Sequence, residues 1–398
     1  MDDATANDNG GYDDRTIGRR LRHIRQSRKL SLTVVAGLAG TSASTLSRIE
    51  NGILALDSRK LVVALAKALR VAPSDLTRLP VPAPANGHTD SAVEAVRGAL
   101  MSVAVGRPGG QVQPVGQLRQ RYQEAVDGDC AMRGTVLPSL IADMHTTLAQ
   151  RQEMVELLPL TVLLHGVVAR NFLYVAAASM DLRWQDAVLA RQLAEELGDP
   201  IMLGIAARGA SSVMLGNGRF DLARDELDAT TVPTATNEGM QLSGMLALER
   251  SIVTAAQSQT AESAAALDYA DELAVRTTGD AFALGFSPVN VGMWRMAAAL
   301  ECGEPDEVIR VAQTVNPQEH PYPARRAAYW ADYGRALTSV RRRDEAARAL
   351  LRAEKMHPVK VLRNSFARDS LAELVAHSKD DALGREIRGM AYRAGLPV

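Results

Sequence analysis

The chain has 398 residues, is 46% hydrophobic and carries a formal net charge of −1. It is too long for one ordinary domain and too apolar for a disordered chain, so two or more folded units are expected. Aromatic residues make up only 4%, and an apolar fraction carried by Ala, Leu and Val favours helices. The two cysteines, Cys130 and Cys302, form no CxxC pair, which indicates neither a disulfide framework nor a zinc site.

Residues 1–14 are acidic and polar, which predicts a disordered tail and is the opposite of a signal peptide. Thirteen basic and three acidic residues follow between residues 15 and 79, so the remainder of the chain carries a net charge of −11. A small basic module joined to a larger acidic body indicates that the first part binds a polyanion.

The pattern between residues 15 and 79 predicts five short helices. Ser31 and Ser42 are placed as N-caps of the second and third helices, where a hydroxyl accepts a hydrogen bond from the first turn. A glycine follows each of these two helices and ends it. A fourth helix is expected over about residues 58–69, and a short fifth helix begins at residues 73–74.

Residues 80–91 are rich in Pro, Ala and Gly and predict a linker, followed by a helical body over residues 92–398. In that body, turn signals followed by an acidic residue, a small residue and a helix recur every 36 to 44 residues. A period of about 34–45 residues with two helices per unit is typical of an α-solenoid; an unpatterned helical bundle is the alternative. The small positions are Ala187, Ala223, Ala264, Val308 and Ala346.

The most apolar stretch, residues 157–180, has His165, Arg170 and Asn171 near its middle. Such side chains disfavour a membrane span, so a buried helix is predicted. With neither a signal peptide nor a membrane span expected, the sequence predicts a cytosolic protein with no membrane partner. It contains no HExxH, GxSxG or phosphate-loop motif, which predicts no catalytic site, no metal site and no cofactor.

The run SLTVVAGLAGTSASTLSRIENG, residues 31–52, resembles the phage-repressor or Cro-type (XRE) helix-turn-helix family. The likeness lies in the apolar Val35, Leu46 and Ile49, the glycine at the turn and the terminal RIENG, and it extends over residues 17–79. With the repeating helices behind it, the chain resembles actinobacterial regulators that carry a tetratricopeptide-like domain. That resemblance implies an all-α protein, in which a five-helix helix-turn-helix domain is followed by a tetratricopeptide-like α-solenoid.

The resemblance also implies that the third helix enters the major groove of double-stranded DNA. Arg48 is the strongest candidate for base recognition, because a guanidinium bonds guanine O6 and N7 together. Contacts to bases or the groove edge are expected from Ser42, Ala43, Ser44, Thr45, Ser47 and Arg48. Contacts to phosphates are expected from Thr33, Asn51, Arg59 and Lys60. By the same resemblance, Arg25 and Glu50 form a partly buried ion pair and do not contact DNA.

A solenoid offers a concave surface lined by the first helix of each repeat. Candidate ligand-binding residues on that surface are His165, Asn171, Tyr174, Phe286, Asn290 and Trp294. The sequence therefore predicts a homodimeric regulator that reads a pseudo-palindromic operator and senses a small molecule or peptide. The alternative is a DNA-binding regulator whose repeats dock a protein partner and bind no small effector. An unrecognised enzyme in the body is a third hypothesis.

Overall fold

The computed structural model describes residues 17–56, 58–69, 76–77, 87–151, 153–379 and 381–396, and regular secondary structure within these ranges is helical. The all-α prediction is therefore confirmed. The predicted tail, residues 1–14, lies outside the described residues, as do residues 80–86 of the predicted linker and most of the fifth helix. We call residues 17–77 the head and residues 87–396 the body.

The head packs its short helices around one apolar core that includes Leu21, Val35 and Leu46. Both predicted N-caps are present: Ser31 Oγ accepts from Val34 N at 3.2 Å, and Ser42 Oγ accepts from Thr45 N at 3.0 Å. The helices are α1 (Ile17–Ser27), α2 (Leu32–Leu38), α3 (Ala43–Glu50) and α4 (Arg59–Leu69).

Close packing of α1 on α3 depends on Gly18, whose role the sequence pattern did not reveal. A Cβ placed on Gly18 would lie 2.1 Å from the carbonyl oxygen of Ile49. Any side chain there would push the two helix backbones apart, because atoms cannot approach so closely.

An ion pair joins the same two helices. Arg25 Nε and Nη2 donate to the two carboxylate oxygens of Glu50, each at 2.7 Å, and Glu50 is only 4% exposed. Arg25 Nη1 also donates to the carbonyl oxygen of Leu30 at 2.9 Å. The guanidinium thus connects α1, the turn before α2 and the last residue of α3.

The body is a succession of helical hairpins. Several of its helices begin with proline, among them those starting at Pro200, Pro288 and Pro323, where the fixed φ and the missing N–H suit the first turn. The first of the body's helices begins at Gly87, so residues 87–91, assigned from sequence to the linker, are helical. The helices are α5 (Gly87–Ala104), α6 (Val115–Asp127), α7 (Cys130–Ala149), α8 (Met154–Leu163), a π-helical segment (Leu164–Ala169), α9 (Arg170–Val175), α10 (Met180–Leu197), α11 (Pro200–Gly216), α12 (Phe220–Asp228), α13 (Asn237–Ala256), α14 (Thr260–Ala274), α15 (Pro288–Cys302), α16 (Pro305–Ala312), α17 (Pro323–Ser339), α18 (Arg343–Met356), α19 (Pro358–Leu362), α20 (Ser365–Ala376) and α21 (Ala382–Arg393).

Four of the five predicted repeat positions lie on the second helix of the hairpins α11–α12, α13–α14, α15–α16 and α17–α18, and of these Ala223, Val308 and Ala346 are buried. The fifth position, Ala187, is buried on α10. Ala264 is exposed, and the buried residue at that point is Ser263, one position earlier. Ser263 satisfies its hydroxyl by donating to the carbonyl oxygen of Ser251 at 2.8 Å, which lets a polar residue occupy the small position.

The apolar stretch singled out from sequence is an internal helix of the body. Among the described residues, the helical run Met154–Val175 has the length and apolarity to cross a membrane, and 72% of its apolar window is buried inside the fold. Its apolar side chains, Phe172 and Leu173 among them, belong to the core of the first third of the body.

The far ends of the body meet. Arg363, which follows α19, donates to Asp90 of α5 at 2.7 Å and to the carbonyl oxygen of Ala176 at 3.0 Å. Lys360 of α19 lies with its Nζ 5.2 Å from the ring centroid of Tyr174 on α9. The hairpins therefore curve until the last third of the body contacts the first.

The head rests on the body through α4, which crosses the turns between hairpin helices. Lys60 Nζ donates to Ser258 Oγ at 2.7 Å, and Arg59 Nε lies 2.9 Å from Glu301 Oε1. Near Gly218 the approach is tight, since a Cβ there would be 2.8 Å from a methyl group of Val63.

Removing Arg25 tests the ion pair between α1 and α3. Arg25→Met strands the nearly buried Glu50 carboxylate, and we expect the opening free energy of the head to fall by about 3 kcal/mol. Amide hydrogen exchange of peptides covering α1 and α3, with full-length protein, measures this loss. The control is Arg342→Met, whose partner Glu345 is exposed; equal exchange in the head of both variants would contradict the assignment.

Candidate DNA-binding helix and concave-face site

One face of α3 is buried and the opposite face is open. Leu46 and Ile49 enter the core of the head, while Ser44, Arg48 and Asn51 are exposed. The exposed residues are four and three positions apart, so they form one row along the helix. Ser47 is half-buried beside this row and accepts a hydrogen bond from Asn51 Nδ2 at 3.3 Å.

The remaining residues predicted to face DNA differ in how open they are. Ser42 is exposed, but its hydroxyl caps α3 and lies 2.8 Å from Thr45 Oγ1, so both hydroxyls already have a partner. Ala43 is half-buried and packs against the core of the head. Thr33 is exposed in the first turn of α2. Among the residues of α3, Arg48 therefore has the longest exposed side chain that can donate hydrogen bonds.

Arg22 extends the polar row onto α1, which the sequence analysis did not anticipate. Its Nη1 donates to Asn51 Oδ1 at 3.2 Å, and the side chain is exposed. The amide of Asn51 is thus held between Arg22 and Ser47 at the end of α3.

Arg59 and Lys60 were predicted to contact phosphates, and here they contact the body. Arg59 engages the Glu301 carboxylate through both its side chain and its backbone N–H, at 2.9 and 3.0 Å. Neither cation is free for DNA while α4 rests on the turns of the body. Their contact with phosphate remains a prediction that requires the head to move.

Comparison with known proteins bears on the head. Residues 16–79 match a family model described as a helix-turn-helix domain. The head is an XRE-type helix-turn-helix domain. A 56-residue stretch is 38% identical to the HTH-type transcriptional repressor RghR of Bacillus subtilis (strain 168), which amounts to 14% of this chain and 42% of that protein. The chain thus spans less than half the length of this curated relative.

Among solved structures, the chain is similar to the apo form of the competence regulator ComR from Streptococcus vestibularis. The two are 13% identical, and the comparison covers 96% of this chain and 99% of that one at a TM-score of 0.23. A score this low does not establish a shared arrangement of domains, so the description of the body rests on its own helices.

Of the six predicted ligand residues, His165 and Tyr174 line a common cleft in the body, and the other four do not. Phe286 and Asn290 are 3% and 2% exposed and serve as packing residues, and Asn290 Oδ1 accepts from Arg325 Nε at 2.8 Å. Trp294 is half-buried with the Arg325 guanidinium 5.1 Å from its ring centroid. Asn171 is exposed and does not line the cleft that contains the other two.

That cleft brings His165 and Tyr174 together. It lies between the π-helical segment, α9, α10 and α11, and it is narrow. Sequence reasoning missed its cations, Arg170 and Arg183, because arginine in a helical repeat is typical of a solvated face. Only the packing of these neighbouring helices shows that the two side chains line a cleft.

A buried polar chain supports one wall of the cleft. His165 Nδ1 lies 2.7 Å from Asp186 Oδ1, and His165 Nε2 lies 2.9 Å from His145 Nε2. Because Asp186 pairs with Nδ1 of His165, Nε2 of the same ring is left to pair with His145. Burial, reinforced by the neighbouring His165, lowers the pKa of His145 to about 3.

Acid should destabilise the body through His145. The unfolded chain binds a proton on this residue below about pH 6.5 and the folded chain does not, so stability is full above that pH and falls between pH 6.5 and 3. Urea unfolding followed by tryptophan fluorescence should lose about 1 kcal/mol through this group between pH 7 and pH 5.5. His145→Gln should lose correspondingly less stability over that interval. An equal loss in this variant and in the wild type would contradict the assignment.

Proposed function

We propose that this chain is a sequence-specific, dimeric DNA-binding transcription regulator whose body senses a small molecule or peptide. The observation that carries the proposal is the open row Ser44, Arg48 and Asn51 on α3 of a helix-turn-helix domain. A helix of this kind reads base edges with side chains on its exposed face, and its neighbours bind the backbone.

Arg48 supplies most of the base recognition in this proposal. Its guanidinium bonds O6 and N7 of one guanine, a pattern that distinguishes this base pair from the other three in the major groove. Ser44 and Ser47 discriminate weakly, because a hydroxyl both donates and accepts. Asn51, oriented by Arg22, is placed at the end of α3 to contact a phosphate.

Two heads are needed for tight binding, because one helix-turn-helix domain makes few contacts. A two-fold dimer places two α3 helices about 34 Å apart, one turn of DNA, and this requires a pseudo-palindromic operator. A ligand that favours one arrangement of heads and body then changes the fraction of molecules able to bind.

Substitution of Arg48 tests base recognition. Arg48→Ala should cost about 1–3 kcal/mol of discrimination per half-site, a loss of about tenfold or more in the ratio of operator to random-DNA affinity. Fluorescence anisotropy with both DNAs measures that ratio, and circular dichroism checks the fold. Arg119→Ala, an exposed arginine of the body, is the matched control. An unchanged ratio in Arg48→Ala would exclude α3 as the recognition helix.

Substitution of Glu301 tests whether Arg59 contacts phosphate when the head is free. Glu301→Gln removes the charge that pairs with Arg59, so Arg59 becomes available to phosphate. We expect tighter DNA binding and a slope of log K against log salt that is steeper by about 1. Glu304→Gln, an exposed acid on the following turn, controls for the change in net charge. If the two variants have the same slope, Arg59 is not a phosphate contact.

A further inference from the structure

Where the last third of the body contacts the first, there is a cluster of cations that the proposed function leaves unexplained. We call it the central chamber and define it by residues from α9, α10, α11, α17 and α19. These elements come from both ends of the body and meet because the hairpins curve back on themselves. The residues are Arg170, Tyr174, Arg183, Arg208, Arg325 and Lys360.

Tyr174 lies at the middle of the chamber. The guanidinium carbon of Arg183 and Nζ of Lys360 lie 5.1 and 5.2 Å from its ring centroid. The side chain is nevertheless 42% exposed, so solvent reaches the space between these groups. The nearby cations, Lys360 most of all, lower the pKa of the Tyr174 hydroxyl.

Acidic residues neutralise only part of this charge. Glu249 accepts from Arg170 Nη2 at 3.0 Å and lies 3.7 Å from Arg208 Nε, so one carboxylate serves two arginines. Asp332 pairs with Arg335 at 2.9 Å, and its charge also acts on Arg325 and Lys360.

The other three cations have no carboxylate partner among the described residues. The contact of Arg183 is the sulfur of Met180 at 3.3 Å, and Arg325 Nε donates to the neutral amide of Asn290. For Lys360 Nζ the contact is the ring of Tyr174. The chamber therefore has an excess of positive charge.

Placing these cations together has a cost that the protein alone does not offset. Burial lowers the pKa of Arg183 to about 10 and also lowers the pKa values of Arg325 and Lys360. Arg208 is only 9% exposed and its Nε has no hydrogen-bond partner; Nη2 of Arg325 also has none. Buried donors left unpaired are unfavourable, and an anion would satisfy them.

We propose that the central chamber binds an anionic ligand through a carboxylate or phosphate group held by Arg183, Arg325 and Lys360. This inference rests on the proposed function, because it names the chemical class of the ligand that the body senses. The adjoining cleft beside Arg170 is too narrow to admit a ligand group, so the charged group binds outside it. The rest of the ligand lies on the open side, against Tyr174.

The test uses the full-length protein and two probes, citrate and inorganic phosphate, at constant ionic strength. Isothermal titration calorimetry should give saturable binding of at least one probe, and thermal unfolding should show a matching rise in Tm. Binding should weaken at least tenfold in the double variant Arg183→Gln and Lys360→Gln. The matched control is Arg119→Gln with Arg310→Gln, which removes two exposed arginines from surface ion pairs and should bind like the wild type.

The Tm measured without anion distinguishes a ligand-binding role of Arg183 and Lys360 from a structural role. Removing two cations that lack carboxylate partners should leave Tm unchanged or raise it, whereas a structural role for them would lower it. The proposal is overturned if neither probe shows saturable binding, or if the chamber variant and the control variant bind the probe with equal affinity. DNA affinity is measured separately with and without the probe. If the probe binds and DNA affinity does not change, the anion site stands and the ligand-sensing part of the proposed function fails.

Discussion

Closure of the body by Arg363 is the interaction on which the rest of the structure depends. One guanidinium joins Asp90 near the start of the body to the carbonyl of Ala176 and thereby fixes the far end of the hairpins against the near end. Beside this contact, Nζ of Lys360 on α19 lies 5.2 Å from the ring centroid of Tyr174.

A charged residue of the head lies close enough to charged residues of the body to interact with them. Arg59 lies on Glu301 at the end of α15, and its charge is also felt by Tyr174 and Arg183 in the central chamber. An anion bound in the chamber would therefore alter the field around one of the residues that connect the two units. In the proposed regulator, this proximity would couple ligand binding to DNA binding through contiguous groups, with no need for a long structural pathway.

Features set by neighbouring residues were predictable from the sequence, and features set by the curvature of the whole body were not. Ser42 as an N-cap and the helical period of the body follow from neighbouring residues, and the Arg25–Glu50 pair followed from the family resemblance. Ser263 was missed in favour of Ala264, because a hydroxyl that donates to a nearby carbonyl packs as well as a methyl group. The meeting of Lys360 with Tyr174 depends on the summed curvature of many hairpins, and no local pattern encodes that sum. The contact of Arg59 with Glu301 likewise joins residues far apart in the chain and was not foreseen from the sequence.

The central claim is that the exposed face of α3 reads a DNA sequence, and the most direct measurement is a fluorescence-anisotropy titration. Full-length protein is titrated against the DNA upstream of its own coding sequence and against a shuffled fragment of equal composition, at two salt concentrations. The account predicts tighter binding to the upstream fragment at both concentrations, with affinity for both DNAs falling as salt rises. Equal affinity for the two fragments, whether strong or weak, would contradict sequence-specific recognition of this DNA.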